Sequence, residues 1–326
     1  MDLRKMIRAL VVAAFASALV YAVMIFWSDG PQVARALRDF PPGTFIVMLL
    51  LGTGCFLVRA LRWGALMRVA GHPMGLKDAL YTHIAGQTMG ISPGRVGEVL
   101  KPWLSRELVG LPMSRGLALV FTERIADLIA VCILSLGGLT VLGGGSLWLL
   151  LGLGVIVAGT YVASSEWFHR LLLGLIARQE RVRKHHGSAM AISEMIRASL
   201  DWRVLTWSVS ASVVAWGFEG LGFALCLRAL GFSALDFASS VSVYAVSTIV
   251  GAFTFLPGGI GLTEASMAGI LVASGMGASG ASAATLITRV ATLWWAVLVG
   301  WVVIASRPML FRRLVSAHEN DFEGDQ

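Results

Sequence analysis

The chain has 326 residues, of which 56% are hydrophobic and 14% are charged, and its mean hydropathy is +0.76. Ordinary soluble domains carry about 25% charged residues, so this composition excludes a soluble globular protein and indicates an integral membrane protein. The formal net charge of +7 does not indicate a nucleic-acid partner, because the basic residues cluster between apolar segments, as membrane topology requires.

Six apolar segments are long enough to form helices that cross the hydrocarbon core, which takes about 20 residues. In chain order they cover residues 9–27, 44–67, 114–137, 146–163, 204–228 and 281–305. The first segment follows a basic N-terminus, but it is long for a signal peptide and no small-residue cleavage site follows it. We therefore interpret it as an uncleaved first helix.

The distribution of lysine and arginine predicts the orientation of these helices. The N-terminus, the segment 164–203 and the C-terminal tail are basic, whereas residues 229–288 contain neither Lys nor Arg. Because basic segments stay on the cytoplasmic side, we expect six crossings with both termini in the cytoplasm of a bacterial cell, at its cytoplasmic membrane. The amphipathic part of 164–203 either lies on the inner leaflet or forms a plain helical linker.

Two further segments, 78–110 and 236–277, are apolar or small-polar, and each is interrupted near its middle by Pro-Gly. Their arms are too short for two comfortable crossings each. Backbone that breaks at membrane depth is tolerated only where it is buried in protein or lines a wet cavity, which favours two re-entrant helical hairpins. A surface loop with a tight turn is the alternative.

The chain contains an internal repeat of the order helix, broken hairpin, helix. PGRVGE is answered by PGGIGLTE at an offset of 164 residues (257 − 93), and TERIADL by ITRVATL at 165 (289 − 124). With six crossings the two repeats are inverted, as in many secondary transporters whose site lies near the midplane. The predicted fold is one all-α membrane domain over 1–326, comprising an N-terminal helix and loop (1–43), repeat 1 (44–145), a connecting helix and cytoplasmic segment (146–203), repeat 2 (204–305) and a tail (306–326).

Charged residues follow the first Pro-Gly break. A half-helix begins after each break, and its unpaired N–H groups and positive dipole end favour an anion such as phosphate. Arg95 lies at the first break, where its planar guanidinium can bind phosphate through two hydrogen bonds. Glu98 and Lys101 follow on one helix face at positions i and i+3.

Other charges lie inside the predicted spans, where each costs about 3 kcal/mol and must face the protein interior. Glu123, Arg124 and Asp127 lie in one predicted helix, and Glu219 and Arg289 lie in two others. A structural ion-pair network and a proton or head-group relay are both compatible with this pattern. The interior set predicted here contains four cations (Arg95, Lys101, Arg124, Arg289) and five carboxylates (Glu98, Glu123, Asp127, Glu219, Glu264), a balance of minus one.

The pattern P-x-R-x-G-E-x-x-K, then Glu-Arg with an Asp three residues after the Arg, then P-G-G-I-G with a Glu and a downstream Arg, resembles a known family. It is the lysylphosphatidylglycerol synthase transmembrane-region family, also called flippase-like or uncharacterised protein family 0104. The matching residues within 40–305 are Pro93, Arg95, Gly97, Glu98, Lys101, Glu123, Arg124, Asp127, Pro257, Gly258, Gly259, Gly261, Glu264 and Arg289.

The resemblance implies transfer of a lipid or lipid-linked head group between membrane leaflets. Bifunctional members also carry a soluble aminoacyl-transferase domain, which this sequence does not contain before it ends at Gln326, so we expect a transporter rather than an enzyme. The expected partner is a membrane lipid with an anionic or phosphate head group. An anionic phospholipid, a polyprenyl-phosphate carrier and a hopanoid-type lipid all remain open, and homo-oligomerisation is compatible with the sequence.

The predicted substrate site comprises Arg95, Glu98, Lys101, Glu123, Arg124, Asp127, Gly258, Gly259, Glu264 and Arg289, with no catalytic residue, cofactor or metal. One alternative is an ion-coupled secondary transporter of a small anion. A second alternative is an intramembrane serine hydrolase that uses Ser92, because GISPG at 90–94 matches the G-x-S-x-G pattern. That pattern requires a strand–turn–helix context, which a helical membrane protein does not supply.

Overall fold

A computed structural model describes residues 3–90, 98–138, 145–167, 186–252, 257–307 and 310. Within these ranges the chain is helical and contains no β-strand, in agreement with the predicted all-α class. Its main helices are α1 (Leu3–Trp27), α2 (Gly30–Arg38), α3 (Pro42–Val69), α4 (Leu76–Gly86), α5 (Leu100–Val109), α6 (Met113–Ser135), α7 (Gly145–Ser164), α8 (His186–Ser199), α9 (Trp202–Ala229), α10 (Phe237–Ala252), α11 (Leu262–Ala273), α12 (Ala278–Arg289) and α13 (Trp295–Ala305). A π-helical turn, Val290–Trp294, joins α12 to α13 without a break.

Each of the six predicted apolar segments coincides with one of these helices. The largest difference is at α1, which begins at Leu3 rather than residue 9, because the basic N-terminal residues are good helix formers although they are polar. Helix α2 is absent from the sequence prediction. Its signals are Asp29, whose side chain accepts a hydrogen bond from Gln32 N, and a proline in its first turn.

Three helical stretches of the described chain are long and apolar enough to cross a membrane: α3, α9 and Ala278–Ala305, each 28 residues long. Ala14–Trp27 and Gly30–Arg38 make a fourth candidate if this pair, bent by 111°, is counted as one crossing. Helix α6 has 23 residues but carries several charges, so its composition alone does not qualify it. The six-span arrangement therefore stays a prediction.

Residues 42–135 and 202–305, called here the first and second units, repeat one order of elements. Each has an opening helix (α3 or α9), a first arm (α4 or α10), a break, a second arm (α5 or α11) and a closing helix (α6, or α12 with α13). The centres of the breaks, residues 91–97 and 253–256, lie outside the described residues. The described arms fit the predicted hairpins, and membrane re-entry itself stays a prediction.

The two opening helices end in the same turn. Gly71 and Gly231 have φ of 76° and 78°, the left-handed conformation that glycine adopts without a Cβ penalty. The N–H groups of His72 and Phe232 then donate back to the carbonyls five residues earlier, at 3.0 and 2.9 Å. These turns lie 160 residues apart (231 − 71), so the repeat in sequence corresponds to a repeat in local structure.

The opening helices α3 and α9 pack extensively against each other and run antiparallel. A Cβ on Gly222 would lie 3.8 Å from Met48 Cγ, and a Cβ on Gly54 would lie 3.2 Å from Phe218 Cε2. Residue numbers therefore rise along one helix as they fall along the other. The close approach depends on glycines in both helices, which leave room for the partner's side chains.

Each first arm packs against the closing helix of the other unit, α4 against α13 and α10 against α6. Glycine permits both contacts. A Cβ on Gly300 would lie 2.8 Å from Thr88 N, and one on Gly138 would lie 2.5 Å from Ser242 Cβ. The units are therefore interlocked through their hairpins, which brings both breaks toward one region.

Candidate functional site

A cavity of about 160 Å³ lies where the two units meet, and residues flanking both breaks line it. We call it the inter-unit cavity. Six of the ten predicted site residues line it: Glu98, Lys101, Arg124, Gly258, Gly259 and Arg289. The structure thus brings together groups that are up to 191 residues apart in sequence (289 − 98).

Arg62, on the opening helix of the first unit, is the centre of a buried ion cluster. Its side chain is 0% exposed, and its Nη1 and Nη2 lie 2.6 Å from Asp127 Oδ1 and 3.2 Å from Glu123 Oε1. It also donates to Ser212 Oγ, which itself donates to Asp127 Oδ1 at 3.0 Å. Glu123 and Asp127 were predicted to share a helix face, and both meet the same arginine here.

Arg59, one turn earlier on the same helix, connects this cluster to the second unit. Its Nη1 lies 3.3 Å from Asp127 Oδ2, its Nη2 lies 4.0 Å from Glu219 Oε1, and its guanidinium stacks 4.5 Å from the centre of the Trp216 ring. Glu219 is held further by Tyr244, whose hydroxyl donates to it at 2.6 Å. Arg59, Glu219 and Tyr244 all line the inter-unit cavity.

Lys101, on the second arm of the first unit, forms a buried ion pair with Glu123. Its ammonium lies 4.2 Å from the centre of the Trp63 ring, a cation–π arrangement. Gly86 makes room for it, since a Cβ there would lie 2.7 Å from Lys101 Cγ. The printed contacts therefore place Lys101 with Glu123 across the fold, whereas its i, i+3 neighbour Glu98 has another cationic partner.

That partner of Glu98 is Arg124. Arg124 Nε lies 3.3 Å from Glu98 Oε2, and Arg124 Nη2 lies 3.0 Å from Asp127 Oδ2. The side chains of Arg124 and Glu98 are 32% and 22% exposed, far more than those of the buried cluster. Arg124 is consequently a cavity-lining cation that still has room to reorient.

Arg289 carries the corresponding arrangement in the second unit. Its Nε donates to Glu264 Oε1 at 2.6 Å, and its Nη2 donates to the Gly258 carbonyl at the break at 2.7 Å. The second oxygen of Glu264 accepts from Gly261 N at 2.7 Å, at the start of α11. The negative group at this half-helix N-terminus is thus an internal carboxylate, where the sequence analysis expected a bound anion.

The two pairs Glu98–Arg124 and Glu264–Arg289 occupy equivalent places in the repeat. Their glutamates are 166 residues apart (264 − 98) and their arginines 165 (289 − 124). In both units a glutamate near the start of the second arm meets an arginine of the closing helix. The equivalence that the sequence predicts for Glu98 and Glu264 therefore extends to their partners.

The predicted site divides into two layers. The cations of the set line the inter-unit cavity, whereas Glu123, Asp127 and Glu264 are buried behind them and are absent from its described lining. Arg95 and Ser92 lie outside the described residues. His83, the other residue of the hydrolase alternative, is buried and lies against Gln87 Nε2 at 3.2 Å.

Arg59 and Arg62 are missing from the predicted set, although the sequence contains a signal for them. Two arginines three residues apart inside a long apolar helix must find buried partners. With them, the described cluster has five cations (Arg59, Arg62, Lys101, Arg124, Arg289) and five carboxylates (Glu98, Glu123, Asp127, Glu219, Glu264). The predicted balance of minus one is thus wrong: the described groups balance, and Arg95 would add one positive charge.

Comparison with known proteins was made at the level of families and of single relatives. The family model described as the lysylphosphatidylglycerol synthase TM region matches residues 9–300, which confirms the resemblance found in the motifs. Two proteins of Methanothermobacter thermautotrophicus, each described as a UPF0104 membrane protein, are similar over most of their length. One is 26% identical over 314 residues (87% of this chain, 89% of the relative), and the other is 24% identical over 333 residues (90% and 92%).

Proposed function

The chain belongs to the lysylphosphatidylglycerol synthase transmembrane-region family, and from this premise we propose that it moves a lipid or lipid-linked phosphate head group between membrane leaflets. The family match and the long apolar helices make it a multi-pass membrane protein. The proposed role is transport rather than catalysis, and the matched family is the membrane region of the synthase. A lipid with an anionic head group is the proposed partner.

The observation that carries the proposal is the layered arrangement around the inter-unit cavity. Arg124 and Arg289 face the cavity, while the buried carboxylates Asp127 and Glu264 lie behind them. Arginine retains its charge at any accessible pH, and its planar fork matches phosphate oxygens. A phosphate that enters the cavity can therefore bind to arginines that remain partly neutralised from behind, which avoids stranding a buried charge.

The charge balance supports a singly charged head group. The described cations and carboxylates of the cluster cancel, so Arg95, if it lies at the first break as the sequence predicts, leaves the site with one excess positive charge. A phosphodiester carries one negative charge. A more highly charged ligand would leave uncompensated charge at membrane depth, where the cost is large.

The proposed architecture is an inverted repeat with six crossings, both termini on the cytoplasmic side and the two hairpins meeting at the inter-unit cavity. The antiparallel opening helices, the matched left-handed turns and the reciprocal contacts of the hairpins support it. The basic segments predict the orientation. The expected bacterial cytoplasmic membrane stays a prediction, and the two relatives described above are archaeal.

Transport in this scheme requires the head group to pass through the cavity while its tails remain in the bilayer. The cavity volume of about 160 Å³ is sufficient for a phosphate group with a few waters but not for acyl chains. Glu98 exchanges its contact with Arg124 for solvent or a proton as phosphate takes its place. The pair is the least buried of the cluster, so it is the one that can separate at lowest cost.

The test reconstitutes the purified full chain into liposomes that contain head-group-labelled phosphatidylglycerol, polyprenyl phosphate or phosphatidylcholine, and measures leaflet exchange. Arg124→Gln and Arg289→Gln should each slow exchange of the phosphate-bearing anionic lipids about tenfold or more, because a charge-assisted hydrogen bond contributes about 1.5–3 kcal/mol. Arg307→Gln is the matched control, since Arg307 pairs with Asp78 at the surface and does not line the described cavity. Monodisperse wild type that exchanges none of these lipids would contradict the proposal.

The cavity size also favours one alternative, an ion-coupled transporter of a small anion. A volume of about 160 Å³ holds inorganic phosphate as readily as a lipid head group. Uptake of labelled inorganic phosphate into the same liposomes distinguishes the two functions. Uptake without lipid exchange, lost in the Arg124→Gln and Arg289→Gln variants, would establish the alternative.

A further inference from the structure

A second groove lies away from the inter-unit cavity, between the C-terminal end of α3 and the N-terminal end of α9. It has a volume of about 370 Å³ and shares no lining residue with the inter-unit cavity. Its described lining consists of two arginines and an apolar wall: Arg68, Arg203, Ala65, Leu66, Val69, Val204 and Trp207. We call it the α3–α9 groove.

The two arginines of this groove differ from those of the ion cluster in having no carboxylate beside them. The described lining contains no acidic residue, and neither Arg68 nor Arg203 forms an ion pair within the described part of the chain. Arg203 also lies in the first turn of α9, where the helix dipole disfavours a cation. An anion in the groove would relieve this repulsion and meet both guanidinium groups.

The remaining lining is hydrocarbon and indole. Val69 and Val204 form part of the wall, and Trp207, 44% exposed, lies one turn and a half along α9 from its start. Tryptophan with arginine near the end of an apolar helix is the arrangement found where a helix meets lipid head groups. The groove therefore offers a binding site for an anion and for an apolar chain next to each other.

We propose that the α3–α9 groove binds an anionic glycerophospholipid, with its phosphate between Arg68 and Arg203 and one acyl chain along Val69, Val204 and Trp207. Inorganic phosphate would leave the apolar wall exposed to water, and an uncharged lipid would leave both arginines without a counter-ion. In the orientation proposed above, these helix ends face the cytoplasmic leaflet, where anionic lipids concentrate. Binding here is independent of transport through the inter-unit cavity.

A neighbouring groove supplies a matched control. It lies on the other side of the start of α9, has a volume of about 430 Å³, and includes Arg197 and Trp202 among its lining residues. Unlike the α3–α9 groove it also contains a carboxylate, Asp201. Because its arginine has an acid in the same groove, the same reasoning assigns it no preference for anionic lipid.

The experiment measures lipid retention by native mass spectrometry on the full chain, released from detergent micelles with phosphatidylglycerol or phosphatidylcholine of identical acyl chains. Wild type should retain phosphatidylglycerol in preference. Arg68→Gln and Arg203→Gln should each lower its apparent affinity about fivefold, and the double variant about thirtyfold, since a basic residue near an anionic lipid contributes about 1 kcal/mol. Arg197→Gln should match wild type.

Equal retention of both lipids by wild type would overturn the proposal, as would undiminished phosphatidylglycerol binding in the double variant. If the double variant does not fold, the two single variants decide, because both arginines are exposed and either can be replaced alone. Leaflet exchange is recorded in parallel. Loss of lipid retention with normal exchange supports an independent groove, whereas failure of exchange in wild type bears on the proposed function alone.

Discussion

The first and second units share their helix order, their turns and their glutamate–arginine pair, yet they bury very different amounts of charge. At equivalent places of the opening helices (offset 160), the first unit has Arg59 and Arg62 where the second has Glu219 and Gly222. In the closing helices (offset 165), Glu123 and Asp127 correspond to Thr288 and Thr292. The scaffold is thus repeated while the chemistry is concentrated in one half, and a ligand between the units would meet two unequal surfaces.

The largest effect is expected from Arg62, which has no counterpart in the second unit. Arg62→Met should lower the free energy of unfolding by about 3–5 kcal/mol, because Glu123 and Asp127 would each lose a partner inside the protein. Thermal and denaturant unfolding of the purified protein in detergent measure it. Adding Asp127→Asn should recover part of the loss; if the double variant is less stable than Arg62→Met, the carboxylates are not what Arg62 compensates.

A smaller loss, about 3 kcal/mol, is expected for Arg289→Met, which breaks the single buried pair of the second unit. Glu264 retains its hydrogen bond from Gly261 N, which keeps part of its compensation. Glu264→Gln preserves that acceptor and removes the charge. The double variant Arg289→Met/Glu264→Gln should therefore unfold close to wild type, and a loss equal to that of Arg289→Met alone would refute this account of the pair.

The equivalent glycines of the two first arms, Gly86 and Gly251, should respond unequally. A Cβ on Gly251 would lie 1.8 Å from Thr263 Oγ1, whereas one on Gly86 would meet the flexible side chain of Lys101 at 2.7 Å. Gly251→Ala should cost about 1–3 kcal/mol in unfolding free energy, and Gly86→Ala less. Thr263→Ser does not relieve the contact and Thr263→Ala does, so rescue by alanine only is the expected result of the unfolding measurements.

The smallest effect is expected at the surface contact between the units, where Arg307 Nη1 lies 2.8 Å from Asp78 Oδ1. Both side chains are more than one third exposed, so Arg307→Gln should change the unfolding free energy by less than about 1 kcal/mol. A loss comparable to that of Arg62→Met would show that exposed charges hold the units together, which contradicts the proposed division between buried chemistry and scaffold.

The sequence predicts the helices well because their apolar lengths and charged boundaries are local properties. It also predicts that Glu98 and Glu264 are equivalent, since both follow a Pro-Gly break at a constant offset. The partners of these residues are another matter. Lys101 pairs with Glu123 and Arg59 reaches Glu219, and such choices depend on how distant helices pack.

Arg59 and Arg62 were not assigned to the site for the same reason. Their spacing shows that two cations lie in an apolar helix, but their carboxylates come from positions more than 60 residues further along the chain. Pairing across such a distance is fixed only when α3 packs against α6 and α9. The π-helical turn after Arg289 is likewise invisible in the sequence, because no residue type marks a shift in backbone hydrogen bonding.

That turn gives the closing helix of the second unit two angular phases. A π-turn accommodates one extra residue within an otherwise continuous helix, and each residue of an α-helix advances the side chains by about 100°. The half that ends at Arg289 and the half that carries Gly300 are therefore set independently around one axis. Deleting one residue from 290–294 would restore a uniform α-helix and turn Gly300 away from Thr88 by roughly that angle while Arg289 kept its place. The helix thus works as a keyed shaft: one end is indexed to the ion pair and the other to the opposite hairpin, and a single residue sets the angle between them.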